Sequence, residues 1–287
     1  MNMPNRRTLI AGAAALAAMP ATALAQVKGP FDRIREETGG RLGVAVYDSD
    51  TGRRFFDGAE ARVAMCSTFK VPLAAAVLAR ADRGEIDLAR EIRFSAADLL
   101  DYAPVVRANI ARGALSIEAL LEAAVTMSDN SAANLVFGQI GGPRGLTRFI
   151  RDAGDLVTRS DRDEPTLNIV RGGEVRDTTT PQAMLWLMHN LLLGEVLSAS
   201  SRAKLIGWMA ASPTGKDRLR AGLPKSWQVG DKTGTSGEGW FNDIAIATPP
   251  GRKPILIACY LDAPGLEAAR ANAAHAQVGA LIGALFG

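Results

Sequence analysis

Apolar positions along the chain follow two periods, and the switch between them divides the sequence. The stretch RLGVAVYDSDTGRRFFDG, starting at Arg41, alternates with Leu42, Val44 and Val46 on one side, turns at DSDTG and returns. A period of two with a turn in the middle predicts a β-hairpin. Ahead of it, GPFDRIREETGG reads as a short amphipathic helix stopped by Gly39-Gly40. From Cys66 to about Ala211 helical spacing takes over. SIEALLEAAVTMS opens on Ser116 as N-cap, with Ala119 where a full capping box has an acid, and PQAMLWLMHNLLLG has a proline start and a glycine stop. The last third returns to β: SWQVGDKTGT, GWFNDIAIATPP and KPILIACYLDAP are spaced as three antiparallel strands, and LEAARANAAHAQVGALIGALF closes the chain as a helix. Strands therefore come from both ends of the chain with helices between them. The economical arrangement is an α+β fold, one five-stranded antiparallel sheet flanked by terminal helices, with an inserted all-α domain. Residues 26–62 and 212–287 are expected to form the sheet domain and 63–211 the helical one. The helical part includes an aperiodic, charged segment over 160–178 of the length of an Ω-type loop.

Composition changes this picture mainly at the N-terminus. With 287 residues, 47% apolar and 22% charged, the chain has enough length for one or two cores. Its first 25 residues read as an export signal: Arg6 and Arg7, an Ala/Gly-rich apolar stretch, then Ala23-Leu24-Ala25 as a small-x-small cleavage site. The mature chain is expected to start near Gln26 and to reside in the periplasm. The paired arginines fit twin-arginine export, although Asn5 stands where that signal usually has Ser or Thr. The apolar stretch is too short to hold a membrane, and no other segment reaches spanning length. Net charge is +3, and +1 without Arg6 and Arg7, which gives no reason to expect nucleic acid or a membrane surface as partner. Cys66 and Cys259, too few for a disulfide scaffold, are expected to be reduced, each packed as a small hydrophobe. The two histidines, His189 and His275, lie in helix-like runs without a ligand pattern. No metal site or cofactor is expected, and a hydrolase built on this chain takes its base from another residue type.

Three short stretches carry the candidate chemistry. In MCSTFK, Ser67 and Lys70 stand three apart at the head of the apolar run VPLAAAVLAR. On a helix these residues share a face, and side chains lean toward the N-terminus, so Lys70 reaches back over Ser67. Taken alone, the pair reads as a helix cap followed by a solvated lysine. Ser128-Asp129-Asn130 follows a helix end and reads alone as a turn, and Lys232-Thr233-Gly234-Thr235 reads alone as an edge strand. S-x-x-K, S-D-N and K-T-G in that order over one chain are improbable as coincidence.

In this trio the sequence resembles a class A serine β-lactamase, over essentially the whole mature chain. RDEPTLN strengthens the likeness, with Glu164 and Asn168 where that family holds its hydrolytic water. The resemblance implies small-molecule β-lactam substrates and a monomeric enzyme with its site at the seam of the two domains. It implies Ser67 as nucleophile, the N–H groups of Ser67 and Thr235 as oxyanion hole, and Lys70 and Glu164 as rival bases for acylation. Ser128, helped by Lys232, is implied as proton relay to the departing nitrogen, and Asp129 as structural. Asn130 is implied as the partner of the substrate's side-chain amide and Tyr102 as a wall of the pocket. Thr233, Gly234, Thr235 and Ser236 are implied along the substrate. Arg162 and Asp177 are implied as an ion pair closing the loop that carries Glu164, and Glu164-Pro165 sits where the family commonly has a cis peptide.

Two departures bear on specificity. Relatives often carry an arginine on the strand after K-T-G; here Phe241 stands at about that place. Arg218 matches the position from which a subset of the family supplies the guanidinium, and it is expected to offer two parallel donors to the substrate carboxylate. Arg220, two residues on, is expected to be indifferent. Carbapenem-hydrolysing relatives commonly bond the cysteine before the nucleophile to a second one; Cys66 is present, but the partner position is Ser236. A cell-wall DD-peptidase shares the three motifs but lacks the Glu-x-x-x-Asn loop. A non-enzymatic β-lactam sensor usually sits behind membrane helices.

Overall fold

The computed structural model describes residues 29–287; the export signal expected over residues 1–25 lies outside the described residues. The strands are β1 (Arg41–Asp48), β2 (Arg54–Asp57), β3 (Val63–Ala64), β4 (Glu91–Arg93), β5 (Ala114–Ser116), β6 (Thr178–Thr179), β7 (Gln228–Thr235), β8 (Trp240–Thr248) and β9 (Ile255–Asp262). The helices are α1 (Asp32–Thr38), α2 (Lys70–Asp82), α3 (Pro104–Ala108), α4 (Ile117–Thr126) and α5 (Asn130–Phe137), followed by α6 (Gly142–Asp152), α7 (Pro181–Leu192), α8 (Ala199–Ala211), α9 (Leu219–Gly222) and α10 (Ala268–Phe286). None of them is long and apolar enough to cross a membrane.

The five long strands make one antiparallel sheet in the order β2-β1-β9-β8-β7. β9 lies between β1 and β8, with Val44 opposite Cys259 and Ile244 opposite Ala258, so the N-terminal hairpin is zipped onto the C-terminal meander. Side-chain alternation then sorts the residues of each strand between two cores. Val44, Val46, Ile255, Ile257, Cys259 and Leu261 pack with Phe31, Ile34, Val278, Ile282 and Phe286 of the N-terminal segment and α10. Ala45, Leu256, Ala258 and Tyr260 face the other way, onto α2, α4, α7 and α8. A slip of one residue would exchange the two faces, and a fully buried aliphatic side chain contributes about 1.5–3 kcal/mol, so the register is strongly specified.

Helix α2 is the axis of the helical part. Its first ten residues, Lys70 to Ala79, are all buried, and four of them are alanines, which let neighbouring helices approach on every side. Pro72 lies in the first turn, where its missing N–H removes no intrahelical bond. Two details correct the sequence expectation. The region over 63–211 is not purely helical, because β3 pairs with β6 and β4 with β5 in ladders of two and three residues, too short to leave a periodic signal. The segment Cys66–Phe69 is a 3₁₀ turn, and the α-helix begins only at Lys70.

Candidate active site

Neither Ser67 nor Thr68 caps this turn. Thr68 Oγ1 donates to Met65 O (2.8 Å) and lies 3.0 Å from the Tyr260 hydroxyl, while the Phe69 ring stacks on Phe137 at 5.5 Å. Pinned from both sides, the turn holds Cys66 at φ 45°, a left-handed value unusual for a residue other than glycine. Asn242 adds a third tie, donating from Nδ2 to Ala64 O (2.9 Å) and Met65 O (3.2 Å). Strand β7 runs directly against this turn. A Cβ on Gly234 would stand 2.9 Å from Met65 O and 3.2 Å from Ser67 N, so only glycine lets Thr235 and Ser67 come this close.

Lys70 is fully buried and does not lean into water. Its Nζ donates to Ser67 Oγ (3.0 Å), Ser128 O (2.8 Å) and Asn130 Oδ1 (2.5 Å), and lies 3.2 Å from Glu164 Oε1. Burial lowers its pKa, with Glu164 opposing the shift. Lys232, also fully buried, donates to Ser128 Oγ (2.9 Å) and Thr233 O (2.8 Å). Its pKa is driven well down, by burial first and by the neighbouring Lys70 cation second. Ser128 Oγ therefore sits between two ammonium groups, 3.4 Å from Lys70 Nζ. It is carried there by a second left-handed residue, Ser128 itself at φ 58°. Asp129 caps α5 through Ala132 N (2.9 Å) and receives Val105 N and Val106 N on its other oxygen (2.8 and 2.9 Å), locking α3 to α5.

The segment with Glu164 is fastened at neck and middle. At the neck, Arg162 Nε donates to Asp177 Oδ2 (2.5 Å), and the Asp161 and Arg162 N–H groups donate to Asp177 Oδ1. In the middle, Asn134 brackets the Glu164 backbone, donating to its carbonyl (2.9 Å) and accepting from its N–H (3.0 Å). The Glu164-Pro165 peptide is cis. Asn168 Nδ2 donates to Glu164 Oε2 (2.6 Å), which leaves Asn168 Oδ1 as a buried acceptor with no protein donor and Glu164 Oε1 with Lys70 Nζ, 3.2 Å away, as its charged neighbour. The sequence reading did not single out Asn134. Its signal was the spacing from Asn130, four residues along one helix.

These groups surround a cleft of about 360 Å³ lined by Ser67, Tyr102, Ser128, Asn130, Asn168, Thr214, Arg218, Thr233 and Thr235. Thr214 is an addition to the expected set, and Thr233 Oγ1 donates to it at 2.8 Å. Ser236 does not line the cleft. It lies in the β7–β8 turn, where its Oγ accepts from Glu238 N at 3.2 Å. Cys66 and Cys259 are free and buried, and burial raises the Cys66 thiol to about 12.

The surroundings of Arg218 correct two expectations. Its Nε donates to Asn272 Oδ1 (2.9 Å), one terminal nitrogen to Gly234 O (2.9 Å) and Asn242 O (2.6 Å), and the other to Thr235 Oγ1 (2.6 Å). One N–H of the fork is left, so a two-donor clamp on an anion is not available. Because Thr235 Oγ1 accepts from Arg218, its own proton is left for another acceptor. Arg220 is not indifferent either: its Nε donates to Asp231 Oδ2 (2.9 Å), and the Asp231 side chain is wholly buried. Burial lifts Asp231 to about 6 against the pull of Arg220. Asp243, which accepts from Leu219 N (3.1 Å), is raised well above the carboxylate range by burial and by Asp231. The sequence reading passed over both acids because they lie inside runs that read as strands.

Comparison with known proteins places this geometry. The profile of the β-lactamase enzyme family matches residues 26–286. Beta-lactamase L2 of Stenotrophomonas maltophilia is 41% identical over 272 residues, 94% of this chain and 89% of that protein. A crystal structure of a β-lactamase from Xanthomonas campestris pv. campestris superposes with a TM-score of 0.88 at 48% identity, covering 90% of this chain and 96% of that one. An ancestral class A β-lactamase superposes with a TM-score of 0.87 at 49% identity, covering 90% of this chain and all of the other. Matched over residues 26–286, the chain belongs to the β-lactamase enzyme family, in class A.

Proposed function

We propose that the protein hydrolyses the β-lactam amide of penicillins and cephalosporins through an acyl-enzyme on Ser67. The observation that carries this reading is the buried carboxylate of Glu164, 3.2 Å from Lys70 Nζ, together with the unpaired Asn168 Oδ1, beside the Lys70–Ser67 contact. A water held at these acceptors gives them its protons, and Glu164 takes one as the oxygen attacks. In the first step Ser67 Oγ bonds to the lactam carbonyl carbon and loses its proton to Lys70 or, through water, to Glu164. The Ser67 and Thr235 N–H groups stabilise the oxyanion. As the C–N bond breaks, Ser128 passes a proton to the ring nitrogen and is resupplied from Lys70 or Lys232. In the second step water, deprotonated by Glu164, adds to the ester carbonyl and the C–Oγ bond breaks, Ser67 Oγ taking a proton from Lys70, which regains one from Glu164.

Asn130 takes the side-chain amide, Tyr102 walls the cleft, and Thr233, Thr235 and the remaining Arg218 N–H take the carboxylate. Gly234 and Ser236 act indirectly, Gly234 by its closeness to Ser67 and Ser236 by shaping the β7–β8 turn, where its Oγ accepts from Glu238 N. The Glu164–Asn168 pair favours a hydrolase over a DD-peptidase, which has no such loop, and over a sensor, which stays acylated. The protein acts in the periplasm as a monomer on small molecules, without nucleic acid or membrane; its export is supported by the basic, apolar and Ala-x-Ala pattern of residues 1–25. Nitrocefin turnover and intact-protein mass test the reading together. Wild type is expected to turn over continuously. Glu164→Ala is expected to retain the acyl adduct with turnover down about a thousandfold or more, and Ser67→Ala to form no adduct. Near-normal turnover by unmodified Glu164→Ala would refute it.

A further inference from the structure

The two walls of the cleft are tied together just beyond the residues that line it. Three residues past Asn168 on one wall and three past Thr235 on the other, Arg171 meets Glu238. Nε lies 3.4 Å from Oε2 and the terminal nitrogen 3.3 Å from Oε1. Beside them Trp240 Nε1 donates to Val170 O at 3.3 Å. These two bridges tie the segment after Asn168 to the turn and strand after Thr235, and they differ in kind. Trp240 is 5% exposed and anchored in the core, whereas the Arg171 and Glu238 side chains are 75% and 36% exposed. The ion pair sits between glycine-bearing segments: Gly172-Gly173 follow Arg171, and Gly237 and Gly239 flank Glu238; Gly172, Gly173 and Gly237 have open space around them, whereas Gly239, at φ 96°, packs on Pro264.

We propose that the Arg171–Glu238 pair is a salt-screened latch that sets how bulky a substrate side chain the cleft accepts. This rests on the hydrolase reading above, in which Asn130 holds the side-chain amide and the side chain leaves the cleft past Asn168. A compact or flexible side chain fits with the latch shut. A side chain that is wide where it joins the amide must push the 169–171 tip away from the 236–239 turn, and the ion pair opposes that movement. An exposed pair gives only a small bias, and one that weakens as the Debye length shrinks from about 8 Å at 0.15 M salt to about 3 Å at 1 M. Discrimination by size is therefore a function of ionic strength in this enzyme.

The test compares two penicillins with one nucleus: benzylpenicillin, with a flexible phenylacetyl group, and methicillin, whose 2,6-dimethoxyphenyl ring is joined directly to the amide carbonyl. kcat/KM is measured for wild type, Arg171→Gln, Glu238→Gln and the double variant at 0.05 and 0.5 M NaCl, with Tm recorded for each. Benzylpenicillin values are expected to stay within about twofold throughout. The methicillin-to-benzylpenicillin ratio is expected to rise about two- to fivefold in each single variant, with no further rise in the double. Added salt is expected to raise that ratio in wild type and leave it flat in the variants. Ratios unchanged by mutation, additive single effects, or the same salt response in all four proteins overturn the latch. A parallel loss on both substrates with a lowered Tm also overturns it, in favour of a structural role. Absence of wild-type turnover on benzylpenicillin overturns the hydrolase reading itself.

Discussion

At the scale of single residues, Arg218 shows how a correct position can conceal a different role. Its guanidinium is spent largely on two carbonyls, an amide oxygen and the Thr235 hydroxyl. On the proposed function, the group that meets a substrate anion is Thr235, held by Arg218, with one remaining guanidinium N–H in support. Arg218→Ala is expected to lower kcat/KM on penicillins and cephalosporins by about tenfold to a hundredfold, as hydrogen bonds to charged groups contribute about 1.5–3 kcal/mol. Thr235→Val, which keeps the shape and removes the hydroxyl, is expected to reproduce much of that loss with the Arg218 network otherwise intact. Full activity of Thr235→Val beside a crippled Arg218→Ala would return the role to the guanidinium. Arg220→Ala is expected to act on stability rather than on binding, because it uncovers the wholly buried Asp231. Removing one partner of a buried pair costs about 3–5 kcal/mol, a value softened here because Asp231, already raised to about 6, can take up a proton. Thermal melts of the two arginine variants, set against their KM values, separate the roles.

At the scale of elements, the loop over 160–178 has little regular structure of its own beyond the Thr166–Asn168 turn and the end in β6, and is shaped by its fastenings. Arg162→Ala removes the side-chain half of the neck but leaves the two backbone donors on Asp177 Oδ1. Deacylation is expected to slow by about ten- to a hundredfold while acylation changes little, since a shift of about 1 Å in Glu164 is enough for such a loss. Stopped-flow measurement of acyl-enzyme build-up checks this; equal slowing of both steps would place the fault elsewhere. The elements most legible in the sequence were those with enough residues to show a period. These were the hairpin of β1 and β2, the strands β7 to β9, and the helices with a clear cap, such as α4, where Ser116 Oγ accepts from Ala119 N at 3.2 Å. The candidate site was legible because its chemistry is written in three short motifs. The 3₁₀ turn at Ser67, the short ladders and the acids under Arg218 and Arg220 were not. Each is fixed by contacts with residues far away in sequence, such as Asn242 on Ala64 or Leu219 on Asp243.

For the molecule as a whole, two cores share one sheet, and charge buried against the second core ties stability to pH. His275 is buried on α10, with its Nδ1 2.9 Å from Ala271 O, and its pKa is lowered to about 3 by burial first and by the Arg218 cation second. A free histidine titrates near 6.5, so between about pH 6.5 and 3 the unfolded chain binds a proton that the fold refuses. This contribution to stability is present above about pH 6.5 and is lost as pH falls toward 3. His275→Gln is expected to flatten the fall of Tm between pH 7 and 4, and a slope equal to that of wild type in calorimetry would rule His275 out as its source. The placement of the two cysteines leads further. Cys66 belongs to the core against the helices and Cys259 to the core against α10, so each thiol lies behind a different face of the sheet. Buried and protonated, neither reacts with an alkylating reagent until its own core opens. Mass-resolved labelling of the two sites thus gives two clocks in one unmodified molecule. If they run together, the enzyme opens as one cooperative body. If the Cys66 clock runs faster, the helical half breathes while the sheet stays sealed on its other side.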